Sequence, residues 1–261
     1  MSSQKRIFMA FLRIAYANLL HARINFFAIV AYWAVSLGVL IVFWKTLFQF
    51  LPVSIGVWNF PRLCILNSFC YISWGVFVFF WGMHRIPEKV VAGQLDKFLS
   101  RPIHPLLGLV GEELNLIGVY EVIAGLAALI TICIHYAIYP NFVGVLLSTV
   151  ALVLGTLGIV IVHGVVSLFS FWLGRVDAIQ GVLDHFDEFQ RYPIDFYSSW
   201  LQKILKYIVP IYFPGTFAAR IFLNLTVHWS EWLLLFIVLS VWVGIFIFLY
   251  RKCMVRYEAN G

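Results

Sequence analysis

Residues Val143 to Trp172 read VGVLLSTVALVLGTLGIVIVHGVVSLFSFW, thirty residues without a single Asp, Glu, Lys or Arg. The hydrocarbon layer of a bilayer is about 30 Å thick and an α-helix rises 1.5 Å per residue, so about 20 apolar residues cross it. By length and composition this stretch is a membrane-spanning helix. The same reading extends outward from it. Upstream, Ile24 to Trp44 and Leu63 to Trp81 carry no charge and Leu116 to Ala137 carries only Glu121; downstream, Trp232 to Tyr250 carries none. The whole chain agrees: 62% of its 261 residues are apolar and 11% charged, with mean hydropathy +0.93, whereas a soluble domain carries about 25% charged residues. An all-α integral membrane protein is expected, with residues 1–261 as one membrane domain. The N-terminus lacks the short apolar core and small-residue cleavage site of a secretory signal, so the chain is expected to be mature as it stands.

Five such runs would leave the two ends on opposite sides of the membrane. Both ends are basic, however, with Lys5, Arg6, Arg13 and Arg23 at one and Arg251, Lys252 and Arg256 at the other. The positive-inside rule places both in the cytoplasm. An even number of crossings follows: six transmembrane helices, with a weakly hydrophobic fifth crossing between Leu173 and Glu231. The formal charge of +6 then falls mostly on the cytoplasmic side, against anionic membrane lipids rather than nucleic acid.

Several segments carry features that a plain bundle does not need. Before the first span, Phe8, Leu12, Ala15 and Leu19 form an apolar stripe beside Lys5, Arg6 and Arg13, the pattern of an interfacial helix. Between the second and third spans, Pro87 opens a helix and Pro102 closes it, with Val90, Val91, Leu95, Phe98 and Leu99 at helical spacing. A short amphipathic cytoplasmic helix is expected, either a solvated connection or a surface that docks in a motor's groove. Glu112 and Glu113 are expected to pair with basic residues at the interface. Glu121 lies inside a span, where a charge costs about 2.5–3.5 kcal/mol, so it faces a partner in the bundle or a substrate pathway.

Asp177, Gln180, Asp184, Asp187, Glu188 and Arg191 recur on one helical face opposite Val182, Phe186 and Phe189. Four carboxylates facing lipid would cost on the order of 10 kcal/mol. This helix therefore lines a wet cavity, with Asp184 and Glu188 toward the pathway, or lies outside the membrane core. After it, Trp200 to Asn224 holds Pro210 and Pro214 near its middle, which remove amide donors and break the helix. A broken hairpin entering from the outer face and covered by protein fits this pattern; if the acidic helix lies outside the core, this segment makes the crossing instead. Gly155 and Gly158 in the fourth span permit a close contact.

The chain contains no GxxxxGK[ST] phosphate loop, no HExxH zinc pair and no GxSxG nucleophile elbow. No catalytic residue and no metal site is expected. Cys64, Cys70, Cys133 and Cys253 show neither CxxC spacing nor a neighbouring histidine cluster. The seven histidines are scattered, and isolated intramembrane ones such as His135 and His163 read as hydrogen-bonded structural groups. Any ATP energy must come from another subunit.

Gly93-Gln-Leu-Asp96 followed by Arg101-Pro102, then Phe171-Trp-Leu-Gly-Arg175, Arg191-Tyr-Pro-Ile-Asp-Phe-Tyr197, Trp200-Leu201, Ile208-Val-Pro210, Phe213-Pro214 and Arg256-Tyr-Glu258 occur in this order. In order and spacing the chain resembles the type-2 ABC exporter permeases, particularly the multidrug or viologen-type efflux branch. The resemblance implies a coupling helix from Pro87 to Ser100, with Glu88, Val91, Leu95, Asp96, Phe98 and Leu99 as its ATPase-coupling residues, and outer-face half-helices within Trp200 to Asn224. It implies cytoplasmic ABC ATPase subunits carrying ATP and magnesium, a second permease of the same or a paralogous chain, and a bacterial inner-membrane location. The acidic stretch Asp177 to Glu188 departs from the family's plain hydrophobic fifth span. Glu121, Asp184 and Glu188 are the pathway candidates. Two other readings are a membrane-embedded enzyme using Asp184 and Glu188, and a channel or scaffold without ATP coupling.

Overall fold

The computed structural model describes residues 9–17, 23–50, 56–99 and 104–257. Lys5, Arg6, Phe8, Leu19, Ser100, Arg101, Pro102 and Glu258, which the sequence reading uses, lie outside the described residues. The described chain is helical: α1 (9–17), α2 (Arg23–Phe50), α3 (Phe60–Phe79), α4 (Ile86–Val91), α5 (Asp96–Leu99), α6 (Pro105–Gly111), α7 (Ile117–His135), α8 (Phe142–Leu168), α9 (Ser170–Leu173), α10 (Asp177–Glu188), α11 (Ser199–Lys203), α12 (Ala218–Phe222) and α13 (Trp229–Arg256). Among the described residues, four helices are long and apolar enough to cross a membrane: α3, α7, Phe142–Leu173 (α8 continued by α9) and α13. The 28-residue α2 contributes a further apolar stretch, Gly38–Phe50.

Local chemistry sets where these helices begin. Asn59 caps α3 by accepting from the Arg62 amide at 3.2 Å, and Pro61 sits in the first turn, where its missing N–H is not needed. Asn141 caps α8 by accepting from the Gly144 amide. The turn between α7 and α8 passes through Ala137 at φ +50°.

Glycines set how closely the helices pack. Gly75 of α3 faces Gly118 of α7 so tightly that a methyl group on Gly75 would lie 2.5 Å from the Gly118 carbonyl oxygen. One on Gly125 would lie 3.0 Å from the carbonyl of Ser68, so α3 and α7 run antiparallel in backbone contact. Helix α8 is the spine. It runs parallel to α3, with the Thr156 and Ser73 hydroxyls hydrogen-bonded at 2.9 Å and the rings of His163 and Phe77 4.7 Å apart. It also runs parallel to α13, whose Phe246 meets Gly164 and whose Cys253 thiol donates to the Leu168 carbonyl at 3.5 Å.

No helix between Leu173 and Trp229 exceeds the twelve residues of α10, about 18 Å of rise and too short for a single-helix crossing. A broken path takes its place. Gln180 meets Ser167, Asp187 meets His163, and Pro210 packs on Gly158, Pro214 on Gly155 and the Ile221 carbonyl on Gly144. Residues 177–222 therefore retrace α8 from its C-terminal to its N-terminal end, over about 35 Å of helix.

This arrangement sorts the molecule into two ends. At one, Phe11 of α1 lies against Gly111, and Tyr257 packs beside Leu95, Phe98 and Leu109. At the other lie α12 and the starts of α3, α8 and α13, while Pro210 and Pro214 reach α8 near its middle, at Gly158 and Gly155. Between the two ends the flanks are apolar. Val119, Ile123, Leu126, Ile130 and Ile134 of α7 are exposed, as are Leu233, Phe236, Ile237, Val241 and Phe248 of α13. Contiguous apolar faces of this extent suit lipid rather than water.

Candidate functional site

The segment joining α3 to α7 is two short helices rather than the one expected over Pro87 to Ser100. Gly93, at φ +65°, turns the chain between α4 and α5, a left-handed backbone that glycine adopts without strain. Lys89 is buried, 5% exposed, and reaches three oxygens: the Leu109 carbonyl at 3.2 Å, Glu112 at 3.2 Å and Glu113 at 3.3 Å. Lys97 adds a 2.6 Å contact to Glu112. Burial alone would raise the Glu112 carboxyl, but the hydrogen bonds from Lys97 and Lys89 outweigh it and hold the group below its ordinary value. Leu95 and Phe98 are fully buried against Leu109, and Gly108 leaves no room for more than hydrogen beneath the Phe98 ring. This linker is fastened to the body on its inner side. Its outer side exposes Glu88, Val91, Asp96 and Leu99.

A second polar cluster lies at the root of this linker. His84 follows α3 after a 3-10 turn, Trp81–Met83, His163 is fully buried in α8, and α10 turns Gln180, Asp184 and Asp187 toward them. Asp187 Oδ2 lies 2.8 Å from His163 Nε2. Asp184 Oδ1 lies 3.5 Å from His84 Nε2 and 3.9 Å from His163 Nδ1. Gln180 Nε2 donates to the Ser167 hydroxyl at 3.0 Å and to the His84 carbonyl at 2.8 Å, and Trp81 stacks on the His84 ring at 4.5 Å. The carboxylates of α10 thus avoid lipid by meeting histidines inside the protein. Asp177 and Glu188 remain exposed.

The opposite end is closed by the broken segment. After α11 the chain makes two wide π-type turns, Ile204–Ile208 and Phe213–Phe217, separated by Pro210, before α12. Tyr212, Phe213 and Phe217 are buried at its centre. Arg220 Nη2 donates to both oxygens of Asp195, at 2.7 and 2.6 Å, and Trp58 Nε1 donates to the same carboxylate at 2.8 Å. Tyr212 donates to Glu231 at 2.8 Å. Gly155 and Gly158 serve this packing: a methyl on Gly155 would lie 2.5 Å from Pro214 Cδ and one on Gly158 3.1 Å from Pro210 Cγ.

Residues 34–261 match the ABC-2 family transporter protein in sequence. The chain belongs to the ABC-2 family. No curated protein matches it. As an ABC-2 protein it is a multi-pass membrane permease of an ABC transporter, and the family implies an ATP-binding partner.

Within this ABC-2 permease the expected site residues fall in three places. Of the six coupling candidates, Glu88, Val91, Asp96 and Leu99 are exposed, whereas Leu95 and Phe98 belong to the core under the linker. Glu121 is buried on α7, on the glycine face that packs against α3, and its Oε2 has no hydrogen-bond partner among the described residues. Asp184 is half-buried in the histidine cluster and Glu188 is exposed. The structure therefore does not gather the three pathway candidates into one polar group. His84 is the residue that sequence reading missed; His163, read as a hydrogen-bonded structural group, is one, through Asp187. The available signal for the cluster was His163 itself, the one ionisable group in a thirty-residue uncharged run, whose nitrogens needed a buried partner that the acidic stripe could supply.

Proposed function

We propose that this ABC-2 permease is one half of an exporter that moves substrate outward by alternating access. It pairs with a second permease, the same chain or a paralogue, and with two cytoplasmic ABC ATPase subunits that bind ATP and magnesium. Its six crossings are α2, α3, α7, α8, the broken path 177–222 and α13. The retracing of α8 by that path supports this count, as does the gathering of α1, the linker and Tyr257 at one end. Basic residues at both ends favour the cytoplasmic side for that end, and the sequence resemblance favours a bacterial inner membrane. The sequence resemblance to multidrug and viologen-type efflux permeases favours a hydrophobic cation as substrate.

The observation that carries this reading is the two-sided linker. Its inner side is clamped by Lys89, Lys97, Leu95 and Phe98, and its outer side presents two apolar and two acidic side chains. A force applied to Val91 and Leu99 passes to the ends of α3 and α7, because the linker joins them and cannot yield independently. The test is Val91→Asp combined with Leu99→Asp in proteoliposomes containing the partner ATPase. Transport-linked ATP hydrolysis is expected to be lost while the protein inserts and stays monodisperse. Undiminished coupling would remove the linker from the mechanism.

A further inference from the structure

The histidine cluster has the composition and geometry of a ligand set. His84 Nε2, His163 Nδ1 and Asp184 Oδ1 all lie within 4.8 Å of one another. Each of these three atoms is buried and lacks a hydrogen-bond partner among the described residues. Buried polar atoms are ordinarily satisfied, and three orphans converging on one point require an explanation. The Asp184 oxygen stands 3.5 and 3.9 Å from the two imidazole nitrogens, longer than a good hydrogen bond. A cation between them satisfies all three at once.

We infer that His84, His163 and Asp184 bind a divalent transition-metal ion of zinc type. Zinc–nitrogen and zinc–oxygen bonds of about 2.0–2.2 Å in tetrahedral geometry place ligand atoms about 3.3–3.5 Å apart. Two of the three separations, 3.5 Å and 3.9 Å, are near that spacing, and the third lies within 4.8 Å. Two imidazoles and one carboxylate suit zinc better than calcium or magnesium, which take oxygen ligands. The surroundings also fit. His163 holds its other nitrogen 2.8 Å from Asp187, the outer-shell carboxylate that fixes the tautomer of a metal-bound histidine. The Asp184 side chain is 35% exposed, which leaves a way in and room for a water as fourth ligand. The ion ties the end of α3 to α8 and α10 at the point where the linker begins, and this site is independent of the transport reading.

The test uses the full chain, purified in detergent and stripped with chelator, titrated with zinc chloride by calorimetry and with cobalt(II) by visible absorption. The wild type is expected to bind one zinc per chain and to give the intense visible bands of four-coordinate cobalt. His84→Gln and Asp184→Asn are each expected to weaken binding at least about tenfold, and Asp187→Asn about 10–100-fold. Asp184→His, which keeps a ligand atom, is expected to retain the cobalt spectrum. All variants are checked for monodispersity first. No stoichiometric binding by the folded wild type, or unchanged binding in both His84→Gln and Asp184→Asn, would overturn the assignment, the second result marking adventitious binding elsewhere.

Discussion

Two polar clusters lie at the same end of the bundle, a few residues apart in sequence, and they differ in how completely their groups are matched. Around Lys89, every charged partner is in contact: Glu112 and Glu113 meet two ammonium groups at 2.6–3.3 Å. Around His163, the one short contact is with Asp187; Asp184 Oδ1 stands off at 3.5 and 3.9 Å from the two imidazoles, and His84 Nε2, His163 Nδ1, Asp184 Oδ1 and Asp187 Oδ1 make no hydrogen bond among the described residues. The first cluster is finished by the chain itself and acts as a fastening. The second is half fastening and half open site. Satisfaction, rather than charge or burial, is what separates the two.

That distinction has graded consequences. The largest belongs to the closed pair of the second cluster. His163→Leu leaves Asp187, 7% exposed, as an unpaired buried carboxylate, and removing one partner of a buried pair costs about 3–5 kcal/mol. Thermal unfolding in detergent should show it as the most damaging polar-to-apolar change in either cluster. Next is Lys89→Met, expected to cost about 2 kcal/mol, because both carboxylates keep some water and Lys97 still serves Glu112. Proteolysis within the linker should accelerate in this variant, and a cost as large as that of His163→Leu would contradict this ranking of the two clusters.

A smaller effect comes from acid. The Glu112 carboxyl is held low by Lys97 and Lys89 against burial, so its contribution is present above the unfolded carboxylate value and is lost as pH falls through the lowered folded one. Hydrogen-exchange protection of the linker should hold from neutrality to about pH 5 and decline below about pH 4. The smallest effect is expected at Asp184→Asn in chelator-treated protein, within about 0.5 kcal/mol of the wild type, since a partly exposed carboxylate 3.5 and 3.9 Å from its histidines stabilises little. Adding zinc should separate the two proteins: at 100 times the dissociation constant the wild type gains about 2.7 kcal/mol that the variant lacks.

The sequence located the four candidate spans because each is an apolar run bounded by charges or turn residues. It fell short at their ends, where Phe60, Phe142 and Trp229 extend helices beyond the uncharged cores. Pro210 and Pro214 announced the break between α11 and α12, since a missing amide donor is a local fact. Gly155 and Gly158 were legible as close contacts, but not as seats for those prolines, because the partner lies more than fifty residues away. The linker was read as one helix since its apolar spacing is helical throughout; Gly93 breaks it, and the same apolar residues Leu95 and Phe98 turned inward rather than toward a partner. The acidic stripe was read as one face of one helix, which holds from Asp177 to Glu188, whereas Arg191 lies in the 3-10 turn that follows. The partners of the stripe were not legible, because His84 and His163 sit on different elements and no periodicity connects them. Local spacing shows which face is polar, whereas only the tertiary path shows what that face meets.

The central claim is that residues 177–222 form a broken crossing, so that the linker and the C-terminal end share one side and the hairpin occupies the other. Single cysteines at Leu99, Arg256, Tyr139 and Trp200, all exposed positions, in a background lacking the four native cysteines, test it in intact cells with a membrane-impermeant maleimide. The account predicts labelling at positions 139 and 200 in intact cells, and at 99 and 256 only after permeabilisation. Labelling of positions 99 and 200 from the same side would contradict it.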